Sequence, residues 1–292
     1  MLMQTPMNPA QLDAYCQRIG YSGSRVPDLE TLRAIIFQHT RTIAFENLSS
    51  FLGQTVDLDL PSLIRKLVTD KRGGYCFEHN LLLGSALNAL GYQVTGLAAR
   101  VLWGLPEPVA AEPSPAVTVP RTHMLLQLDI DGQSWLADAG FGGLTLTAPL
   151  LIVPDIEQTT PHEPFRLLQE GKAYRLQARL QQSWKTLYVF TREEQQFSDY
   201  TLANWYVATH PGSRFVTGLI AARPEVDKRY ALADNHLSLY RLSGETERYK
   251  IATVAELRET LQDLFGLSLS NMAGLEEGLG RLLAEQKTPA SD

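Results

Sequence analysis

The 292-residue sequence contains few cysteines and has no strong excess of either charge sign. Cys16 and Cys76 are the only cysteines, which excludes an extracellular fold stapled by several disulfides. The net charge of −6 gives no support for binding to nucleic acid or to an anionic membrane. No apolar run is long enough to span a bilayer, and no basic, then apolar, leader opens the sequence. We therefore expect a cytoplasmic protein with reduced cysteines and with neither nucleic acid nor membrane as a partner.

Metal-binding patterns are also missing. Neither a CxxC nor an HExxH motif occurs, and the histidines outside the motifs discussed below lack the spacing of metal ligands. These histidines are His39, His162, His210 and His236. The sequence therefore predicts no structural or catalytic metal.

Three regions of different character follow one another along the chain. Residues 1–91 carry apolar residues at helical spacing, above all in segments 9–21, 28–43, 61–69 and 76–91. Residues 92–199 contain short strand-like segments at 92–103, 123–130, 133–139, 165–171, 173–180 and 183–191, a number typical of a barrel or sandwich. Residues 200–292 are mixed, with strands predicted at 214–223 and 236–242 and helices at 253–266 and 273–286.

These regions predict an α+β protein built as an N-terminal helical bundle, a central antiparallel β-barrel and a C-terminal α/β lid. The domain boundaries are expected near residues 91 and 199. Residues 104–120 contain five prolines. Because proline cannot donate a backbone hydrogen bond, we predict that this segment is a mobile loop.

The segment Arg72 to Leu81, RGGYCFEHNL, places Cys76 at the start of a predicted helix, directly after two glycines. A thiol at a helix N-terminus lies at the positive end of the helix dipole, which favours the nucleophilic thiolate. A buried packing role is the alternative for a cysteine in this position. The helix pattern alone leaves both interpretations open.

A predicted hairpin supplies a histidine and an aspartate. Asp131-Gly132 is a strong two-residue turn signal, and it pairs Ile130 with Gln133. Side chains alternate along strands, so His123 and Asp138 become diagonal neighbours at one end of a mostly polar face. An aspartate that binds one imidazole nitrogen leaves the other free to take a proton from a thiol. A surface pair without a thiol partner is the alternative.

The opposite face of this hairpin carries apolar residues and is predicted to enter the core. These residues are Met124, Leu126, Leu128, Ile130, Trp135 and Ala137. The glycine-rich stretch DAGFGGLT follows directly from Asp138. It is either a simple tight loop or a place where backbone amides approach an anion or a bound acyl group.

Five segments in matching order make the chain resemble the arylamine N-acetyltransferase family, bacterial type. They are the stretch from YCQRIGYSG to FENL, then RGGYCFEHN, RTHMLLQL, WLADAGFGG and NWYVATHPGSRF. The resemblance implies a Cys–His–Asp triad like that of cysteine proteases, formed by Cys76, His123 and Asp138. It also implies ping-pong transfer from acetyl-CoA, as co-substrate, through a cysteine thioester to an arylamine, an arylhydroxylamine or a hydrazine.

The resemblance further assigns Phe45, Phe141, Gly142 and Gly143 to the substrate-binding site, with the two aromatic rings lining the acceptor pocket. Arg72 and Glu78 are expected to support the nucleophile by holding the local backbone and charges.

The sequence departs from the usual family pattern at a few positions. Ala44 stands where proline often precedes FENL, and His79 stands where glutamine is common. His79 could reach Cys76 from the same helix, but it has no evident acidic partner, so His123 is the predicted base. The loop at 104–120 is longer than usual.

Three alternatives remain open. A cysteine hydrolase uses the same triad but passes the acyl group to water. An amide synthase that closes polyketides resembles this sequence too and would take a carrier-bound thioester. A catalytically silent binding protein is the third. The oligomeric state, the natural acceptor and the CoA contacts are not predicted.

Overall fold

A computed structural model describes residues 5–106, 119–270 and 272–285. Residues 107–118, the main part of the predicted proline-rich loop, lie outside the described residues.

The first part of the chain is helical, as predicted. Its helices are α1 (Pro9–Ile19), α2 (Leu29–Thr42), α3 (Leu48–Phe51), α4 (Leu60–Leu63) and α5 (Cys76–Ala89), and a π-helical turn, Ile64–Thr69, follows α4. Helix α1 begins with a capping box, because Asn8 and Gln11 each accept the other's backbone N–H at 2.9 Å. It ends at Gly20, which adopts the left-handed conformation at φ 69°.

Helix α5 is the central element of this part. The sequence predicts one buried side, but every residue from Cys76 to Leu87 is buried. Elements therefore pack around α5 on all sides, and polar residues on any of its faces must find partners inside the protein.

The predicted strands of the second part form one antiparallel sheet. Its strands are β2 (Gln93–Val101), β3 (Arg121–Ile130), β4 (Gln133–Ala137), β5 (Leu150–Leu151), β6 (Glu157–Gln158), β7 (Phe165–Glu170), β8 (Ala173–Leu180) and β9 (Ser183–Thr191). Their order is β5-β4-β3-β2-β9-β8-β7-β6. The segment 150–158 pairs with β4 at its start and with β7 at its end, so the two edges meet in a nearly closed barrel.

A second antiparallel sheet lies in the last part of the chain. Its strands, in spatial order, are β1 (Phe45–Glu46), β10 (Ile220–Pro224), β11 (Lys228–Ala233), β12 (His236–Arg241) and β13 (Thr246–Lys250). The helices of this part are α6 (Phe197–Thr209), α7 (Arg214–Thr217), α8 (Val254–Asp263) and α9 (Leu275–Glu285). Strand β1 comes from the helical region, so this sheet reaches the loop that precedes Cys76.

The strand predicted at 214–223 is wrong in its first half. Residues Arg214–Thr217 form the short helix α7, and the strand begins only at Ile220. The Ser213 side chain caps α7 by accepting the Phe215 N–H at 3.2 Å, and this local bond opposes an extended backbone. Helix α6 is also absent from the sequence prediction.

The β3–β4 hairpin has the predicted register, with Ile130 opposite Gln133. Its apolar face enters the core, as predicted, and the structure shows that it packs there against α5. The second, mostly polar face lines the barrel interior, where Leu125 and Leu136 are fully buried. Curling of the sheet encloses His123 and Asp138 together with these leucines.

The α+β architecture of helical region, barrel-like sheet and lid is thus confirmed, while the domain boundaries near residues 91 and 199 stay predictions. Within the described ranges, no helix is both long and apolar enough to cross a membrane.

Candidate active site

Cys76 is the first residue of α5, where the sequence places it. Its thiol is nearly enclosed, with 4% of the residue exposed, and its Sγ lies 3.6 Å from the Thr122 carbonyl oxygen on β3. The N–H groups of a first helical turn lack partners within the helix and create a positive field. Developing negative charge on this sulfur is therefore favoured.

His123 and Asp138 make the hydrogen bond that the hairpin predicts. The imidazole Nε2 lies 2.7 Å from Oδ2 of Asp138, and both side chains are buried. Because Nε2 is engaged, Nδ1 is the nitrogen left for the Cys76 thiol.

Burial alone lowers the pKa of His123, but the Asp138 carboxylate and then the Cys76 thiol raise it to about 10. Burial likewise opposes ionisation of Asp138, yet the His123 imidazole and the Gly140 and Asn80 hydrogen bonds hold its pKa below the usual value. The site is therefore arranged to hold an imidazolium beside a carboxylate.

Asn80 fastens the nucleophile helix to the hairpin. Its Nδ2 donates to the Met124 carbonyl at 2.7 Å and to Oδ1 of Asp138 at 3.1 Å. Its Oδ1 accepts the Ala139 N–H at 3.0 Å. One amide side chain thus fixes the distance between the helix that carries the thiol and the strand that carries the carboxylate.

Gly140 allows the closest approach between these two elements. A Cβ atom at this position would lie 2.5 Å from Cα of Cys76, closer than non-bonded atoms come. Its N–H also donates to Oδ1 of Asp138 at 3.0 Å. The glycine-rich loop after Asp138 therefore passes directly over the nucleophile helix.

Aromatic rings surround the imidazole. The Phe141 and Tyr188 ring centroids lie 5.3 and 5.0 Å from that of His123. Phe45 approaches from the lid sheet, since a Cβ on Gly142 would sit 3.4 Å from its ring. Gly143 is exposed and has open space around it. The Phe45 ring thus lies against the same loop whose Phe141 packs on His123, and flat apolar walls of this kind suit an aromatic ligand.

Arg72 and Glu78 each pair with an opposite charge close to Cys76. The Arg72 guanidinium bonds Oε1 of Glu46 at 2.6 and 3.0 Å. Glu78 accepts from Lys66 at 2.6 Å and from the Tyr75 N–H at 3.1 Å. These contacts hold the loop before Cys76 and the first turn of α5.

His79 and Cys16 are buried away from solvent. Both ring nitrogens of His79 are taken, by His39 at 2.9 Å and by the Ala44 carbonyl at 3.2 Å, and burial lowers its pKa to about 4. Cys16 is a buried free thiol in the helical core, where burial raises its pKa.

Over the described part of the chain, no group of three or more His, Cys, Asp or Glu side chains is placed to hold a metal ion.

The sequence reasoning missed Asn80, Gly140 and Tyr188. Asn80 follows Cys76 by four residues, so helical spacing could have placed it on the same face. Gly140 belongs to a glycine-rich stretch that was recognised, but its contact with Cys76 depends on the packing. Tyr188 lies on β9, far along the chain, and no local signal connects it to His123.

The fold and the site define a class of proteins in which a Cys–His–Asp cluster lies between a helical region and a barrel-like sheet. Comparison with known proteins narrows that class. A family model described as N-acetyltransferase matches residues 28–273. An arylamine N-acetyltransferase of Mycobacterium tuberculosis is 42% identical over 287 residues, which cover 96% of this chain and 98% of that protein.

Two solved structures agree. The arylamine N-acetyltransferase of Mycobacterium smegmatis has a TM-score of 0.87 and 40% identity, covering 95% of this chain and 99% of that one. That of Mycobacterium marinum in complex with CoA has a TM-score of 0.86 and 39% identity, with coverages of 94% and 98%. The chain belongs to the arylamine N-acetyltransferase family, which confirms the resemblance found in the sequence.

Proposed function

We propose that the protein is an acetyl-CoA-dependent arylamine N-acetyltransferase that carries the acetyl group as a thioester on Cys76. The observation that carries this proposal is the His123–Asp138 hydrogen bond beside Cys76. Family membership supports the reaction, since the matched relative is named for arylamine N-acetylation and a matched structure contains CoA.

In the first half-reaction the thiol proton of Cys76 has already moved to Nδ1 of His123, and Sγ attacks the acetyl carbonyl of acetyl-CoA. The raised pKa of His123 favours the imidazolium that forms. The bond between the acetyl carbon and the CoA sulfur breaks, and the imidazolium returns the proton to the departing CoA thiolate. The products are free CoA and acetyl-Cys76, with His123 now neutral.

In the second half-reaction, the nitrogen of the acceptor amine attacks the thioester carbonyl. His123 removes a proton from that nitrogen, and the bond between the acetyl carbon and Sγ breaks. The amide is released, and the proton on His123 beside the freed Cys76 sulfur restores the starting state. We propose that first-turn N–H groups of α5, which have no partners within the helix, stabilise the oxyanion in both halves.

The aromatic side chains near His123 favour an acceptor that carries an aromatic ring. Phe141 packs against the His123 ring, and the Phe45 ring lies beside Gly142 of the same loop. We propose that arylamines, arylhydroxylamines and aryl hydrazines bind with their rings against these side chains. Arg72 and Glu78 act as supports. A free thiol is required, which is consistent with the reducing cytoplasmic location predicted from the sequence.

Intact-protein mass spectrometry tests the proposal. Acetyl-CoA alone should add one acetyl mass to the wild-type protein and none to Cys76→Ala, and an added arylamine should remove the label as the N-acetyl product. Cys16→Ala is the matched control, and it should keep the label. Absence of the acetyl mass, or its persistence in Cys76→Ala, would contradict the proposal, and release of the label only as acetate would indicate a hydrolase.

A further inference from the structure

A chain of buried hydrogen bonds connects three helices to the strand that carries Phe45. The Tyr15 hydroxyl of α1 lies 2.8 Å from Nδ1 of His39 on α2. Nε2 of His39 lies 2.9 Å from Nδ1 of His79 on α5, and Nε2 of His79 lies 3.2 Å from the Ala44 carbonyl oxygen. Tyr15, His39 and His79 have no solvent exposure.

The carbonyl at one end fixes every proton in this chain. Because the Ala44 oxygen can only accept, Nε2 of His79 must carry a hydrogen, and its Nδ1 must accept. Nε2 of His39 therefore donates, and its Nδ1 accepts the Tyr15 hydroxyl. Both imidazoles are neutral in this arrangement, in agreement with burial, which lowers the pKa of each. Every donor and acceptor in this hydrogen-bond chain has a partner only when each hydrogen points toward the Ala44 end.

The Ala44 end of this hydrogen-bond chain lies next to the loop before Cys76 and to Phe45. The Ala44 carbonyl also accepts the Gly74 N–H at 3.3 Å, and the Gly74 carbonyl accepts the Glu46 N–H at 2.8 Å. Phe45 lies between these two bonds. Its ring is parallel to the His79 ring within 9°, at a centroid distance of 6.5 Å. His79 thus contacts the backbone and faces the ring of the residue that forms the acceptor wall.

We propose that His79 is a positioning residue for the acceptor ring, and that it acts by holding Ala44 and Phe45 against the nucleophile loop. This inference rests on the proposed function, because it needs an aromatic acceptor at Phe45. His79 fixes the position of the Phe45 wall relative to Cys76, while His39 and Tyr15 fix the orientation of its imidazole. The Gly74 N–H bond to the Ala44 carbonyl attaches the loop before Cys76 to the same segment, in addition to His79.

Two amide substitutions separate the two bonds of His79. In His79→Gln the amide nitrogen reaches the position of Nε2 and can still donate to Ala44. In His79→Asn the shorter side chain can still accept from His39, but it does not reach Ala44. The glutamine variant therefore keeps the bond to Ala44 and loses the bond to His39, and the asparagine variant does the reverse.

The assay compares two acceptors, aniline and hydroxylamine, since hydroxylamine has no ring to pack on Phe45. For His79→Asn we expect kcat/KM for aniline to fall by about tenfold or more, as expected for a displaced binding wall. The value for hydroxylamine and the rate of Cys76 acetylation by acetyl-CoA should change by less than about threefold. His79→Gln should retain wild-type selectivity.

A double-mutant cycle checks that His79 acts through Phe45. In a Phe45→Leu background, His79→Asn should cause no further loss of aniline selectivity, because the wall is already altered. Tyr15→Phe removes the first donor and leaves Nδ1 of His39 unpaired, so it should shift selectivity in the same direction, and it provides a test if His79→Asn does not fold.

Equal losses for both acceptors, slowed acetylation of Cys76, or unchanged aniline selectivity in the folded variants would overturn the inference. Failure of the proposed function is a different result, since the wild-type protein would then not acetylate aniline at all.

Discussion

Replacing Asp138 with asparagine should reverse the tautomer of His123. In the wild-type protein, Oδ1 of Asp138 accepts from Asn80 and Gly140, and Oδ2 faces Nε2 of His123. Asparagine has one oxygen, which the two donors on the Oδ1 side will hold. Its NH₂ group must then face Nε2, so Nε2 accepts and the hydrogen moves to Nδ1. The nitrogen that should take the thiol proton is thereby blocked.

The size of the effect follows from the charge environment. The pKa of His123 is about 10, compared with an ordinary value of 6.5. This difference of about 3.5 pH units corresponds to about 5 kcal/mol at about 1.4 kcal/mol per unit. Without the carboxylate, burial dominates and His123 is neutral at pH 7.5. By analogy with the same change in serine enzymes, turnover should fall by about 10⁴.

The wild-type protein and the Asp138→Asn variant should also differ in how their stability depends on pH. Because folding raises the pKa of His123, its protonation stabilises the folded protein. This stabilisation is complete below the unfolded-state pKa, near 6.5, and is lost as the pH rises through about 10. Between these limits the melting temperature of the wild-type protein should fall more steeply than that of Asp138→Asn. The variant is the matched control, because the other titrating groups are shared.

NMR titration of ¹⁵N-labelled histidine measures the protonation of His123, and CoA release measures acetylation. The wild-type imidazole should remain protonated at pH 8, and the variant imidazole should be neutral with its hydrogen on Nδ1. The reasoning is refuted if His123 titrates near its ordinary value in the wild-type protein, or if the variant acetylates within tenfold of the wild-type rate.

Two further changes test how the parts are held together. Gly140→Ala would place Cβ 2.5 Å from Cα of Cys76, so we expect a loss of about 1–3 kcal/mol in unfolding free energy and a large fall in acetylation. Gly280→Ala on α9 has nothing within 4 Å and lies away from the site, so it is the control and should lower neither quantity; equal effects of the two in denaturant melts and CoA release would refute the packing argument. The Arg229 guanidinium of the lid pairs with the Glu163 carboxylate of the barrel at 2.6 Å. Arg229→Met leaves that carboxylate without its partner and should lower the unfolding free energy by about 3 kcal/mol. A melting curve unchanged by Arg229→Met would show that this ion pair does not hold the lid.

Local patterns made much of the fold predictable. Apolar spacing located α1, α2 and α5, and Asp131-Gly132 fixed the register of the β3–β4 hairpin. Turn chemistry and side-chain alternation act between near neighbours, so one sequence carries the necessary information. The error at 214–223 has the same origin, because a β-branched run favours a strand until the Ser213 cap and the packing of α7 override it.

Contacts between distant segments were not predictable in this way. Phe45 pairs with Ala222 in the lid sheet, and Tyr188 meets His123 from another strand of the barrel. The buried path from Tyr15 through His39 to His79 joins three helices. Each depends on how separate elements pack, which the spacing within one element does not specify.

The sequence by itself determined that Cys76 begins a helix, that His123 and Asp138 lie together on one hairpin, and that the chain belongs to its family. Those features are set by short-range geometry and by motifs. The tertiary structure alone decided that Asn80 and Gly140 bring the hairpin onto α5, that the barrel encloses His123, and that His79 faces Phe45. The physical reason is that charge, burial and ring contacts depend on the distance in space between segments that lie far apart along the chain.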